Sequence, residues 1–90
     1  MTGYTRLDFT ETFLATVASP DFSRADRSQL LKALRLLDSD DRHPSLRVHR
    51  LEGDREGSWS ASASRELRLV FERLPDNRKR LLTCSRHYDR

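Results

Sequence analysis

The sequence predicts an α+β domain in which two helices pack on one face of a mainly antiparallel, twisted sheet. Two observations carry this expectation. The apolar period is helical between about Thr10 and Asp38 and becomes two from Leu46 to the end, so helices come first and consecutive strands follow. Ninety residues with 36% hydrophobic and 34% charged side chains can bury one modest core, so one domain over residues 1–90 is expected, with one face of each element inside.

Each element has its own signal. "YTRLDF" reads as a first strand, with Leu7 and Phe9 facing inward. Thr10 is placed to cap a short helix whose stripe is Phe13, Leu14, Val17 and Ala18, and "SPDFS" breaks it. Ser23 with Asp26 forms a capping box, and Leu30, Leu31, Leu34 and Leu37 make the apolar face of a second helix reaching about Asp38, completing an αα-hairpin. "DSDDRHP" is a polar exit loop, in which Asp38, Asp40 and Asp41 read as solvated turn residues and His43 as structural. "LRVHRL" is the next strand, with Leu46 and Val48 on one face and Arg47 and His49 on the other. "EGDREG" is a turn, "SWSASAS" a strand of small residues, "LRLVFERL" another, and "PDNR" turns the chain into "KRLLTCSRHY". The layout is β-α-α-β-β-β(-β).

Composition limits the chemistry. The start "MTGYTRLDFTETF" lacks the basic-then-apolar order of a signal peptide and no run is long enough to span a membrane, so a cytoplasmic protein is expected. Cys84 is the lone cysteine and is expected in the core; with only His43, His49 and His87 beside it, no metal constellation is legible. Residues 1–45 hold six basic and seven acidic side chains, whereas residues 46–90 hold eleven and seven. The positive charge therefore sits in the second half, mostly as arginine, which suits phosphate or an acidic partner.

If the helices cover Leu46, Val48, Leu67, Leu69, Phe71, Leu82 and Cys84, alternation sends Arg47, His49, Arg68 and His87 to the uncovered face. Trp59 depends on the hairpin loop. A three-residue loop at Ser64, Arg65 and Glu66 places it on the core face, whereas an even loop places it beside Arg68, where its ring could stack on a base. The first option is favoured because the second would bury Ser60, Ser62 and Ser64.

"LRVHRLEGDREGSWS", "ELRLVF" and "LLTCSRHYDR", in this order and spacing, resemble the RelE/ParE superfamily, the toxin components of bacterial type II toxin–antitoxin systems. The resemblance implies a RelE-like fold, a cognate antitoxin protein as partner, and ribosome-dependent cleavage of messenger RNA in the A site without metal or other cofactor. It carries Arg68 over as the phosphate-binding residue, His49 as base and His87 as general acid, with Glu66 as an alternative base. Arg47, Arg50, Arg86, Trp59 and Tyr88 would be the surrounding RNA contacts. Other members bind DNA gyrase instead and need no acid–base pair, so a gyrase poison or a catalytically degenerate toxin acting as a binding module is the alternative.

Overall fold

The computed structural model describes residues 4–51 and 57–86. Their order is β1 (Leu7–Phe9), α1 (Glu11–Ala18), α2 (Arg24–Ser39), a 3₁₀ turn (Pro44–Leu46), β2 (His49–Arg50), β3 (Trp59–Ser62), β4 (Leu67–Leu74), a second 3₁₀ turn (Pro75–Asn77) and β5 (Arg78–Arg86). The five strands form one sheet in the order β1-β5-β4-β3-β2. β1 runs parallel to β5 and every other pair is antiparallel. The long central pair β4–β5 forms the platform, and the helices sit on one face of it.

The helix starts are fixed by their caps. Thr10 Oγ1 accepts from the Phe13 N–H at 3.1 Å and donates to the Leu81 carbonyl at 2.9 Å, tying the first turn of α1 to the sheet. Ser23 and Asp26 complete a reciprocal capping box on α2. Arg27 closes the link between the helices, donating to the Phe22 carbonyl at 2.8 Å and the Val17 carbonyl at 3.2 Å. The stripes are narrower than the sequence suggests: Phe13, Leu30, Leu34 and Leu37 are buried, but Leu14 and Leu31 are about half exposed and Ala18 faces solvent. Each exposed residue directly follows a buried or partly buried one, and 100° of helical rotation is enough to turn it off the sheet.

The core joins these helix residues to Leu7, Phe22, Ala33, Leu46, Ala61, Leu67, Leu69, Phe71, Leu81 and Cys84. Leu82 is not among them. A bulge between Val70 and Phe71 pairs Leu69 with Cys84 but Phe71 with Leu81, so parity flips along β5 and Leu81, rather than Leu82, enters the core. The same flip buries Lys79, whose Nζ donates to the Leu37 carbonyl at 3.1 Å and lies 3.4 Å from Asp41. Asp41 also accepts from Arg73 at 2.6 Å, and Asp38 accepts the Arg6 backbone N–H at 2.7 Å. Two of the three exit-loop aspartates are thus structural ligands of the fold rather than solvated turn residues.

"LRVHRL" is a strand only at His49 and Arg50. Leu46 ends the 3₁₀ turn, still buried, and Arg47 caps it in the left-handed region at φ 48°. Pro44 fixes φ for a turn start, and His43 Nδ1 accepts from the Ser45 N–H at 3.2 Å, which together pull the segment out of extended pairing. Among the described residues no helix is long and apolar enough to cross a membrane.

Candidate functional site

The face away from the helices is organised in rows across the strands. His49 on β2 pairs with Ser60 on β3, Ser60 with Val70 on β4, and Val70 with Thr83 on β5. One step along, Arg68 is flanked by Ser62 on β3 and Ser85 on β5. Side chains of directly paired residues point to the same face, so these two rows form a floor of hydroxyls around one guanidinium. His49, Leu51, Ser60, Arg68, Val70, Thr83 and Ser85 line a hollow of about 440 Å³. At the far end of the same face Asp8 is bonded to Arg78 and Glu72 to Arg80, so charge there is balanced. Among the described residues Arg68 is in no salt bridge, which leaves the positive field concentrated at its end of the sheet.

Arg68 is half-buried and anchored. Its Nη1 donates to the carbonyls of Ser64 at 2.9 Å, Arg65 at 3.1 Å and Leu67 at 3.3 Å, so the β3–β4 hairpin holds one edge of the fork. Among the described residues Nε and Nη2 make no hydrogen bond to protein, and Arg68 is one of the residues that line the hollow. His49 is exposed, with Nδ1 3.0 Å from the Arg47 carbonyl. A carbonyl oxygen only accepts, so Nδ1 is the donor here, which leaves Nε2 as the nitrogen that would carry the lone pair of a neutral ring.

The remaining expected residues divide sharply. Ala61 pairs with Leu69 and Trp59 with Phe71, so the three-residue loop is present and Trp59 lies on the helix-side face, packed against the core. The Arg73 guanidinium stacks on its ring at 4.2 Å and that of Arg50 lies 5.7 Å from the centroid. Arg50 follows His49 by one strand residue and so points to the opposite face. Arg86 pairs with Leu67, shares its face, and is bonded to Asp26. Arg50 and Arg86 are therefore not gathered with Arg68, contrary to their expected place among the RNA contacts, whereas Trp59 takes the core side that the sequence favours. Arg47 stands at the edge, lining a second cleft beside Arg68. Glu66 is exposed at the hairpin, 3.9 Å from Arg86 and on no wall of the hollow. His87 and Tyr88 lie outside the described residues.

Titration behaviour separates the structural groups from the hollow. Burial pushes the Cys84 thiol up to about 11, with the Asp26 carboxylate adding to the effect, so it is an inert core thiol. The Asp26 carboxyl is held below its ordinary value, chiefly by the backbone hydrogen bond from Ser23, with its hydroxyl and Arg86 assisting. Burial raises the Asp41 carboxyl, but the Arg73 hydrogen bond and the nearby Lys79 outweigh it and leave it lowered. Among the described residues no group of three or more His, Cys, Asp or Glu could hold a metal ion. Alternation alone could have found Ser60, Thr83 and Ser85, but a serine in a strand carries no signal until its neighbours are known.

No family model matches this sequence, and no curated protein matches it. Solved structures do. A chain of the Escherichia coli DinJ-YafQ toxin-antitoxin complex aligns at TM-score 0.72 with 17% identity, over 93% of each chain. The YoeB/ParE toxin from Agrobacterium tumefaciens aligns at 0.67 with 24% identity, over 93% of this chain and 100% of that one. The YoeB dimer from Staphylococcus aureus aligns at 0.65 with 24% identity, over 96% and 100%. The chain therefore shares its fold with these YafQ and YoeB structures.

Proposed function

We propose that this chain is the toxin of a bacterial type II toxin–antitoxin module and an endoribonuclease that cuts messenger RNA on the ribosome. The observation that carries the reading is Arg68, a guanidinium whose Nη1 is held on hairpin carbonyls and which shares one hollow with His49, Ser60, Thr83 and Ser85. Cleavage of a phosphodiester by its own ribose needs three things: a base for the 2′ proton, a fixed cation for charge gathering on phosphorus, and an acid for the leaving oxygen. His49 Nε2 takes the 2′ proton, the 2′ oxygen bonds to phosphorus, and Arg68 holds the phosphoryl oxygens. The P–O5′ bond breaks with its electron pair going to O5′, leaving a 2′,3′-cyclic phosphate and a 5′-OH. The resemblance assigns the proton for O5′ to His87.

The antitoxin partnership rests on the same fold occurring in the DinJ-YafQ toxin-antitoxin complex and in the YoeB-YefM complex. A basic second half and a thin core suit an acidic partner that orders on binding. The test adds the purified chain to translating ribosomes and maps message ends. Messages cut at A-site codons, with naked RNA cut poorly, are the expected result, because one guanidinium on an open sheet needs the ribosome to orient its substrate. Intact message with trapped gyrase–DNA adducts would overturn the ribonuclease in favour of a gyrase poison. Failure of the neighbouring gene product to co-purify or relieve toxicity would overturn the module assignment.

A further inference from the structure

Arg68 is a wall between two clefts. Beyond it lies a second one of about 640 Å³, lined by Ser45, Arg47, Ser62, Ala63, Ser64, Arg65 and Arg68 itself. We propose that this second cleft is a subsite for the phosphate of the nucleotide adjoining the one held at Arg68, with Arg47 and Arg65 as its cationic walls. The proposal rests on the nucleic-acid reading above and adds to it a place for the flanking nucleotide.

Three observations support it. Arg47 and Arg65 are both exposed and, among the described residues, neither is in a salt bridge, whereas Arg73, Arg78, Arg80 and Arg86 are all bound to carboxylates. Arg47 also occupies the left-handed region at φ 48°, where glycine or asparagine would sit without strain. A long cationic side chain at such a position costs conformational energy and is better explained by what the guanidinium touches than by the turn it caps. Finally, Ser62 follows Ser60 on one face of β3 and lines this cleft together with Ser64, whose hydroxyl also accepts from the Leu67 N–H at 3.1 Å, so hydroxyls continue past Arg68 into the second cleft. A single strand laid along it would meet a guanidinium at Arg68 and two more beyond it. Successive phosphates on one strand need cations in just such a sequence.

The test uses the full chain and 2′-O-methyl oligonucleotides, which cannot be cleaved because the nucleophile is blocked. Binding is followed by NMR titration at several salt concentrations. A dinucleotide brings one phosphodiester and a trinucleotide two. The trinucleotide should bind roughly fivefold more tightly, the gain available from one exposed charge contact, and should shift the Ser62 and Ser64 amides. In Arg47→Gln/Arg65→Gln that ratio should fall to about one while dinucleotide affinity holds, and the salt slope for the trinucleotide should drop by about 0.7. Arg24→Gln/Arg35→Gln, which removes the same charge from exposed positions on α2, should keep the ratio. An unchanged ratio in Arg47→Gln/Arg65→Gln, no binding of either oligonucleotide at millimolar protein, or Ser62 and Ser64 shifts produced by triglutamate alone would overturn the subsite. The ribonuclease reading can fail separately: a preserved length dependence in a chain that cuts no message on ribosomes would leave the subsite standing.

Discussion

Replacing Arg68 with leucine tests the proposed chemistry most directly, because the structure separates its cost to folding from its cost to catalysis. The side chain donates from Nη1 to three carbonyls of an exposed hairpin, at 2.9, 3.1 and 3.3 Å. Water can replace a donor at such a loop, so Arg68→Leu should lose on the order of 1 kcal/mol of stability and about 5 °C in Tm. The neighbours on its face, Ser62 and Ser85, are not core residues, so no cavity opens. Cleavage should fall far more. Losing a preorganised donor to the charge developing on phosphorus is worth roughly 3–4 kcal/mol in the barrier, a loss of about a hundredfold to a thousandfold. Arg68→Lys should recover less than about tenfold, since one ammonium cannot grip the hairpin and the phosphate from separate edges. The assay is single-turnover cleavage on programmed ribosomes at a temperature well below the melting transition, with chemical denaturation in parallel. A folded Arg68→Leu chain that cuts at the wild-type rate would refute the mechanism and leave the guanidinium as a hairpin clamp.

His49→Ala should slow cleavage by about a hundredfold or more and be partly rescued by added imidazole, which a merely structural histidine would not allow. Asp41→Ala should destabilise more than Lys79→Met, by about 3 kcal/mol against about 1–2, in urea titrations. The first strands a buried ammonium, while the second leaves Asp41 with Arg73 at 2.6 Å. Asp26→Asn keeps the capping acceptor but not the charge. Because the folded carboxyl lies below the ordinary 3.8, its contribution is fully present above that pH and is lost as pH falls through the folded value, so the stability gap between wild type and variant should close in acid. Cys84, buried and with its thiol raised to about 11, should resist iodoacetamide at pH 8 until denaturant is added.

The layout was legible because each signal was local. A hydroxyl three residues before an acid caps a helix wherever the helix packs, so Ser23 and Asp26 marked the start of α2 unaided. The three-residue hairpin places Trp59 on the core side as the sequence favours, but the reason, keeping serines out of the interior, holds only for Ser62 and Ser64, since Ser60 is buried on the other face. What stayed hidden was set by partners distant in sequence. Strict alternation back from Cys84 selects Leu82, and with it Arg80 and Arg78, for the interior; the bulge opposite Val70 and Phe71 selects Leu81 and Lys79 instead. Energetically the second choice is better, because Lys79 meets the Leu37 carbonyl and Asp41, 42 residues away in the first case, and no such acceptors await two arginines. The candidate site shows the same division. Arg68 and His49 shared a face by parity, which the structure keeps. Arg50 and Arg86 belong with them by charge alone, and a base-stacking Trp59 by aromatic character alone, properties that carry no direction. Once Arg86 is bonded to Asp26 and Arg73 is stacked on Trp59, those side chains serve the joint between sheet and helices. The uncovered face is left with few charges and many hydroxyls, and that is why its chemistry depends so heavily on where Arg68 is held.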